Sequence, residues 1–391
     1  MAASMPKDRK LYTLYLFFAV NFIATGMTTY APKFYGEIGL TDGRIGLISA
    51  VMALVALFAQ PVWGMLADRA RAMRSVLAVA LAIAGLLCFV VLPVSARFLP
   101  LLLVLTLYNT FYLPAMPVSN AIAIEYTGAH GHSFGPVRMM GTIGYQVGIL
   151  ITGFLLARSL RGLYPAIGVV LLLAAGTALL LPDIRSQNTS QSRTRAAYGV
   201  FFRDRTLLLL FAVAFLANIG HQFNLTFFSK HLGDLGVSNT VTGLINTVSV
   251  MLEIPFLLFG DRIMKRFSLW TWMTIGLVLG AIRFLLLSVL RNPALIVLAQ
   301  LLSIAQLSCF EFFPYIYLGR ITRKDLLASA QSVYQMITFG VARILASLVG
   351  GAIADAAGIP FVYGVSGAIM AVTAVAFYAP MRRRARADRA A

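Results

Sequence analysis

The sequence predicts an all-α integral membrane protein: twelve transmembrane helices in two pseudo-symmetric six-helix bundles, with three observations behind the prediction. Apolar runs longer than the roughly 18 residues that mark a spanning helix recur along the whole chain. Hydrophobic residues make up 59% of the 391 residues and charged residues 12%, more apolar surface than a soluble domain of this length buries. A segment near residue 33 also returns near residue 230, as in membrane proteins built from repeats.

In chain order, the first span covers about residues 11–34 and follows MAASMPKDRK, which lacks a small-residue cleavage site and so leads into an uncleaved helix. The second covers about 44–63, and the basic turn GMLADRARAMR follows at 64–74. Spans three to six cover about 75–94, 98–126, 133–157 and 162–181, with Pro114 and Pro117 expected to bend the fourth. The polar segment 183–205 reads as a cytoplasmic linker between an N-terminal bundle, 1–182, and a C-terminal bundle, 206–391. Spans seven to twelve cover about 206–230, 238–260, 269–290, 293–318, 326–350 and 360–380, and the tail MRRRARADR closes the chain.

The net charge of +18 is distributed as a topology signal rather than as a nucleic-acid footprint. If the N-terminus, the tail and the loops that lead from even to odd spans share one side, that side holds 22 Lys and Arg against seven on the other. Both termini are therefore expected in the cytoplasm, with a bacterial inner membrane as the natural setting. No phosphate-binding G-x-x-x-x-G-K loop and no His/Cys metal set occurs, so neither an enzyme nor a cofactor is expected. Cys88 and Cys309 both lie inside apolar runs.

The repeat pairs KFYGEIGLTDGRIGLISAV (33–51) with KHLGDLGVSNTVTGLINTV (230–248), matching Gly39 to Gly236 and Gly46 to Gly243. Asp68-Arg69 returns as Asp261-Arg262, four residues closer to its anchor, which predicts an eighth span one turn shorter than the second. Two such halves form what transporters built from parallel repeats look like, with a small-molecule site between the halves.

Ionisable groups within the spans are the candidate functional residues. The fifth span, SFGPVRMMGTIGYQVGILITGF, is capped by Ser133 and thinned by Gly141, Gly144, Gly148 and Gly153, so a second helix can approach it closely. It holds one cation, Arg138, which either snorkels to the interface or faces an aqueous cavity and binds a solute. Asn120 matches its depth on the fourth span, with Glu125 one turn nearer the cytoplasm. Glu253 and Glu311 lie about 10 Å deep, which suits a carboxyl to carrying a proton. Arg283 and Arg343 lie deeper; Arg283 is within range of Glu253, and a structural ion pair is the plain alternative to a functional one. His221 sits in mid-span and offers an imidazole for proton relay. In the turn, Gly64 permits tight approach, and Asp68 can pair with a base or cap a helix, a latch for one of two conformations.

The loop Gly64-x-x-x-Asp68-Arg69-x-Arg71 and the twelve-span repeat resemble the major facilitator superfamily, where turns of this pattern govern alternating access. FGPVRMMGTIGY (134–145) is similar to the fifth-helix signature of its lactose permease, phenylpropionate permease and nucleoside–proton symporter group. Residues 251–284 resemble the phenylpropionate branch at Glu253 and Arg283, and CFEFFP (309–314) resembles the proton-coupling segment of lactose permease at Glu311. Two positions depart from the pattern: the group's acidic partner of the fifth-helix arginine is Asn120 here, and a histidine one turn before its tenth-helix carboxylate is Ser308. The resemblance implies a monomeric, proton-driven symporter importing a small organic solute. An aromatic or other carboxylate is expected before a sugar or nucleoside, since an arginine without its carboxylate is open to an anion. Efflux or facilitated diffusion of amphiphiles is the alternative mode. Arg138, Asn120, Arg283 and His221 would bind substrate, Glu311 and Glu253 would carry the proton, and Gly64, Asp68, Arg69, Asp261 and Arg262 would form the switch.

Overall fold

The computed structural model describes residues 8–69, 72–183, 203–251, 268–303, 309–310, 313–322 and 326–390. Glu253, Asp261, Arg262 and Glu311 lie outside these residues, as does the end of the predicted eighth span. Every regular element among the described residues is helical, and nine helical segments are long and apolar enough to cross a bilayer. The chain divides into two compact units. The first comprises Met1–Gly39, Leu54–Ser190 and Ser238–Gly243, and the second comprises Leu40–Ala53, Gln191–Val237 and Leu244–Ala391.

The first unit is built from α1 (Arg9–Met27), α2 (Ala31–Glu37), the latter part of α3 (Asp42–Arg69), α4 (Met73–Val94), α5 (Phe98–Tyr112), α6 (Ala115–Ala129), α7 (Phe134–Leu155) and α8 (Leu163–Leu179). Glycines set its closest contacts. A Cβ on Gly144 or Gly148 would stand 2.2 Å from the carbonyl oxygen of Ala19 or Ile23, so α1 and α7 pack backbone to backbone. Gly85 and Gly168 do the same for α4 and α8. Beside them Phe34, Tyr35, Tyr108 and Tyr164 form a buried aromatic cluster, in which the Tyr35 and Tyr164 hydroxyls are hydrogen-bonded to each other. Residues 238–243 join this unit through the Asn239 amide, which donates to the Leu156 carbonyl at 2.7 Å, and the Thr240 hydroxyl, which donates to the Gly153 carbonyl at 2.8 Å.

The second unit holds the first turns of α3 with α9 (Arg205–Asp234), the latter part of α10 (Asn239–Met251), α11 (Leu269–Val289), α12 (Pro293–Gln300), α13 (Phe313–Ile321), α14 (Leu327–Gln335), α15 (Ala342–Ala357) and α16 (Ile359–Ala390). Its core is aromatic: Trp270, Phe223, Phe227, Phe284, Tyr334 and Tyr363 are fully buried. Residues 40–53 join it where Gly46 leaves no room for a Cβ, which would stand 2.1 Å from the Ser347 carbonyl oxygen. Asp42 reinforces that contact through Lys230 at 3.0 Å, which also holds Asp234 at 2.8 Å. The repeat is visible in the backbone: Gly39 and Gly236 both take the left-handed conformation just past a helix end, with φ of 85° and 76°.

Several boundaries differ from the sequence expectation. The predicted turn from residue 64 is helical as far as Arg69, because Met, Leu, Ala and Arg sustain a helix past the single Gly64; Asp68 and Arg69 therefore close a helix rather than form a loop. The fourth span is two helices, broken at Leu113–Pro114, where Pro114 removes a donor. The first span passes through a tight turn of 3₁₀-helix at Thr28–Tyr30 before Pro32 restarts it as α2. The tenth gives α12, which ends at Gln300. The eleventh runs to Ala357 with a π-helical segment at Met336–Val341, and the twelfth continues through Pro380 to Ala390, so the basic tail is helical.

Candidate functional site

In the first unit, polar groups collect on the helices around Arg138. Ser133 caps α7 as expected, its hydroxyl accepting from the Gly135 N–H at 3.3 Å. Arg138, one turn on, extends over Phe22 of α1 with its guanidinium carbon 4.7 Å from the ring centre, a cation–π contact. Gly141 makes room for this pairing, since a Cβ there would meet both Phe22 and Arg138 within about 3.1 Å. The Nη1 atom of Arg138 is buried, and among the described residues it has no hydrogen-bond partner.

The same holds for three side-chain amides of this unit. Asn21 Oδ1 on α1, Asn120 Oδ1 on α6, and both amide atoms of Gln146 on α7 are buried without a partner among the described residues. Asn21 itself is only 2% exposed. Helix α6 packs against both α1 and α7, so the three elements belong to one cluster, although no hydrogen bond joins Asn120 to Arg138 among the described residues. Beyond Asn21 the polar stripe continues with Thr25 of α1, bonded to the Tyr112 hydroxyl at 2.5 Å, and Thr29 of the 3₁₀ turn that follows, bonded to that of Tyr145 at 3.2 Å. A buried polar atom left unpaired costs about 1–3 kcal/mol. Four such residues in one unit form a polar cluster that a ligand with its own donors and acceptors could satisfy.

In the second unit, His221 is buried on α9 beside Gln222. The Gln222 amide donates to the Thr338 carbonyl at 3.2 Å, and its Oε1 is buried without a partner among the described residues. Thr338 lies in the π-helical segment, whose wide turn loosens the usual carbonyl pairing and turns an acceptor toward α9. Arg283, 2% exposed, donates from Nε and Nη2 to the Gln300 side-chain oxygen at 3.0 and 2.5 Å and lies over Phe284 at 5.1 Å. Arg343 follows the π segment with its Nε buried and unpartnered among the described residues. No group of three metal-ligating side chains occurs among the described residues.

The sequence points to Arg138, Asn120, Arg283 and His221; the buried amides Asn21, Gln146, Gln222 and Gln300 of the same two units are not singled out by it. A neutral amide barely lowers the hydropathy of an apolar run, so it does not announce itself. Spacing was the available signal: Asn21, Thr25 and Thr29 recur every four residues, and Gln146 stands eight residues after Arg138.

With this geometry in hand, known proteins supply a comparison. The sequence matches the family described as "MFS_1 like family" over residues 9–365. The maltose permease of Geobacillus stearothermophilus is 26% identical over 345 residues, covering 87% of this chain and 86% of that protein. The putative nucleoside transporter YegT of Escherichia coli (strain K12) is 27% identical over 331 residues, covering 80% and 77%. The crystal structure of the nucleoside transporter NupG superposes with a TM-score of 0.84 at 20% identity, covering 95% of this chain and 98% of that one.

Proposed function

The chain belongs to the MFS_1 like family and is a multi-pass membrane transporter rather than an enzyme, and we propose that it imports a neutral, hydroxyl-rich solute, nucleoside-like or sugar-like, together with protons. The observation that carries this reading is the unpartnered amide set Asn21, Asn120 and Gln146 beside Arg138. Amides offer donors and acceptors together, which suits hydroxyls and ring nitrogens; three acceptor oxygens have nothing to accept from a carboxylate. Phe22, Tyr112 and Tyr145 add flat apolar surface near them, as a base or a sugar ring requires. Relatives described as a maltose permease and a putative nucleoside transporter point the same way. A carboxylate substrate is the second reading, favoured by the guanidinium of Arg138 alone.

Within the proposal, the chain crosses a bacterial inner membrane twelve times with both termini in the cytoplasm, as its Lys and Arg distribution supports. Glu311, with Glu253 as the second candidate, takes up the proton. Within the second unit His221 and Arg283 are the candidate substrate-binding residues, and Gln300 fixes the Arg283 guanidinium. The switch residues Gly64, Asp68 and Arg69, with Asp261 and Arg262, bias the alternating access of a monomer. Uptake into proteoliposomes tests the reading with a panel of nucleosides, disaccharides and aromatic carboxylates, with and without an imposed pH gradient. Accumulation of a nucleoside or disaccharide only under an inward proton gradient, lost in Glu311→Gln, is expected. Gradient-independent uptake refutes the coupling, and uptake confined to carboxylates refutes the substrate class.

A further inference from the structure

Helix α16 ends in a way that a loose basic tail does not. Its 32 residues measure about 48 Å at 1.5 Å per residue, whereas the hydrocarbon core of a bilayer is about 30 Å thick. About twelve residues therefore extend past the core, and the crossing point falls near Tyr378, an aromatic side chain suited to the membrane–water interface. Just beyond it, Met381 is fully buried and its sulfur lies 3.8 Å from the Thr274 hydroxyl of α11, so the emerging turn is docked on the second unit. Arg382, Arg383 and Arg386 are exposed. At about 100° per residue they share an arc roughly 100° wide, on the side of the helix away from Met381. The guanidinium of Arg382 stands 5.9 Å from the Tyr378 ring centre, at the depth where headgroups begin. Residues 378–387 contain four arginines and no carboxylate. Membrane topology requires the positive charge; it does not require a docked helix presenting that charge on one face.

We propose that this arginine face is a docking surface for anionic lipid headgroups. A guanidinium fork matches the two free oxygens of a phosphodiester, and three on one arc engage neighbouring headgroups at the membrane surface. Lipid bound there clamps the end of α16 against α11 and stabilises the second unit.

The test uses the full-length protein in a neutral detergent, with its melting temperature followed as phosphatidylglycerol, phosphatidylcholine or inorganic phosphate is added. Phosphatidylglycerol is expected to raise the melting temperature and the other two to leave it unchanged. In R382Q/R383Q/R386Q the shift falls about threefold or more, and in the corresponding triple Lys variant more than half of it remains. High salt abolishes the shift in the wild type, which decides the matter if the Gln variant fails to fold. An undiminished shift in the Gln variant, a shift that survives high salt, or an equal shift with phosphatidylcholine or inorganic phosphate overturns the proposal.

Discussion

Arg138 carries the first test at the scale of the residue. Its position one turn into α7 is compatible with snorkelling to the interface, yet its guanidinium lies over Phe22 with Nη1 buried and unpartnered among the described residues. Substituting Arg138→Gln is expected to raise KM for the transported solute about tenfold while the melting temperature moves by a few degrees at most, because the fold loses only the cation–π contact with Phe22, about 0.5–2 kcal/mol. Kinetics in proteoliposomes alongside a melting curve separate the two effects. Asp8 is the opposite case, a polar residue that works for the fold. It caps α1, accepts the Tyr126 hydroxyl on both oxygens at 2.7 and 2.8 Å, and lies 3.3 Å from His132. Burial raises its pKa, but the hydrogen bonds from Tyr126, the Leu11 and Lys10 N–H groups and His132 outweigh that and hold it below the ordinary aspartate value. A lowered folded-state pKa means its contribution is complete above about pH 4 and is lost as pH falls through the lower folded-state value. Melting curves taken through that acid range should fall more steeply for the wild type than for Asp8→Asn. Charged and polar residues of this kind were legible in the sequence because they interrupt apolar runs; the amides Asn21, Gln146 and Gln300 were not, because they interrupt them so little.

At the scale of the element, glycine placement was the most legible signal. The four glycines of the fifth span predicted a close helix neighbour, and Gly144 and Gly148 lie against the α1 backbone. Gly144→Ala and Gly148→Ala are each expected to cost about 1–3 kcal/mol, since a Cβ must push two backbones apart. Gly176→Ala on α8, which faces open space, should instead gain up to about 1 kcal/mol in the same unfolding experiment, the helix preference of Ala over Gly. Other element features had no sequence signature. The π-helical turn at Met336–Val341 meets a tertiary contact, the Gln222 amide on the Thr338 carbonyl, and nothing in MITFGV specifies it locally. Replacing Gln222 with Leu should return that turn to regular α-helix, seen as altered amide exchange confined to residues near 338. The extension of α3 to Arg69 and of α16 to Ala390 was missed for a related reason: polar helix formers end a hydrophobic run without ending a helix.

Across the whole molecule, composition and charge placement already led to a multi-pass membrane protein, and the internal repeat led to two related halves. The repeat did not reveal that residues 40–53 and 238–243 join the other compact unit from the one their chain neighbours enter, because that depends on packing at Gly46 and Gly153 rather than on local preference. Nor did it fix the solute, which depends on the side chains that converge on the polar faces. The central claim is that the unpartnered amides of the first unit are held for the solute. The most direct measurement is the dissociation constant of the transported solute for the purified wild type and for Asn21→Ala, Gln146→Ala and the double variant. Each lost hydrogen bond to a neutral group is expected to weaken binding about three- to tenfold, with the double variant weaker than either single one and all four proteins melting within a few degrees of each other. Unchanged dissociation constants in all three variants would contradict the account.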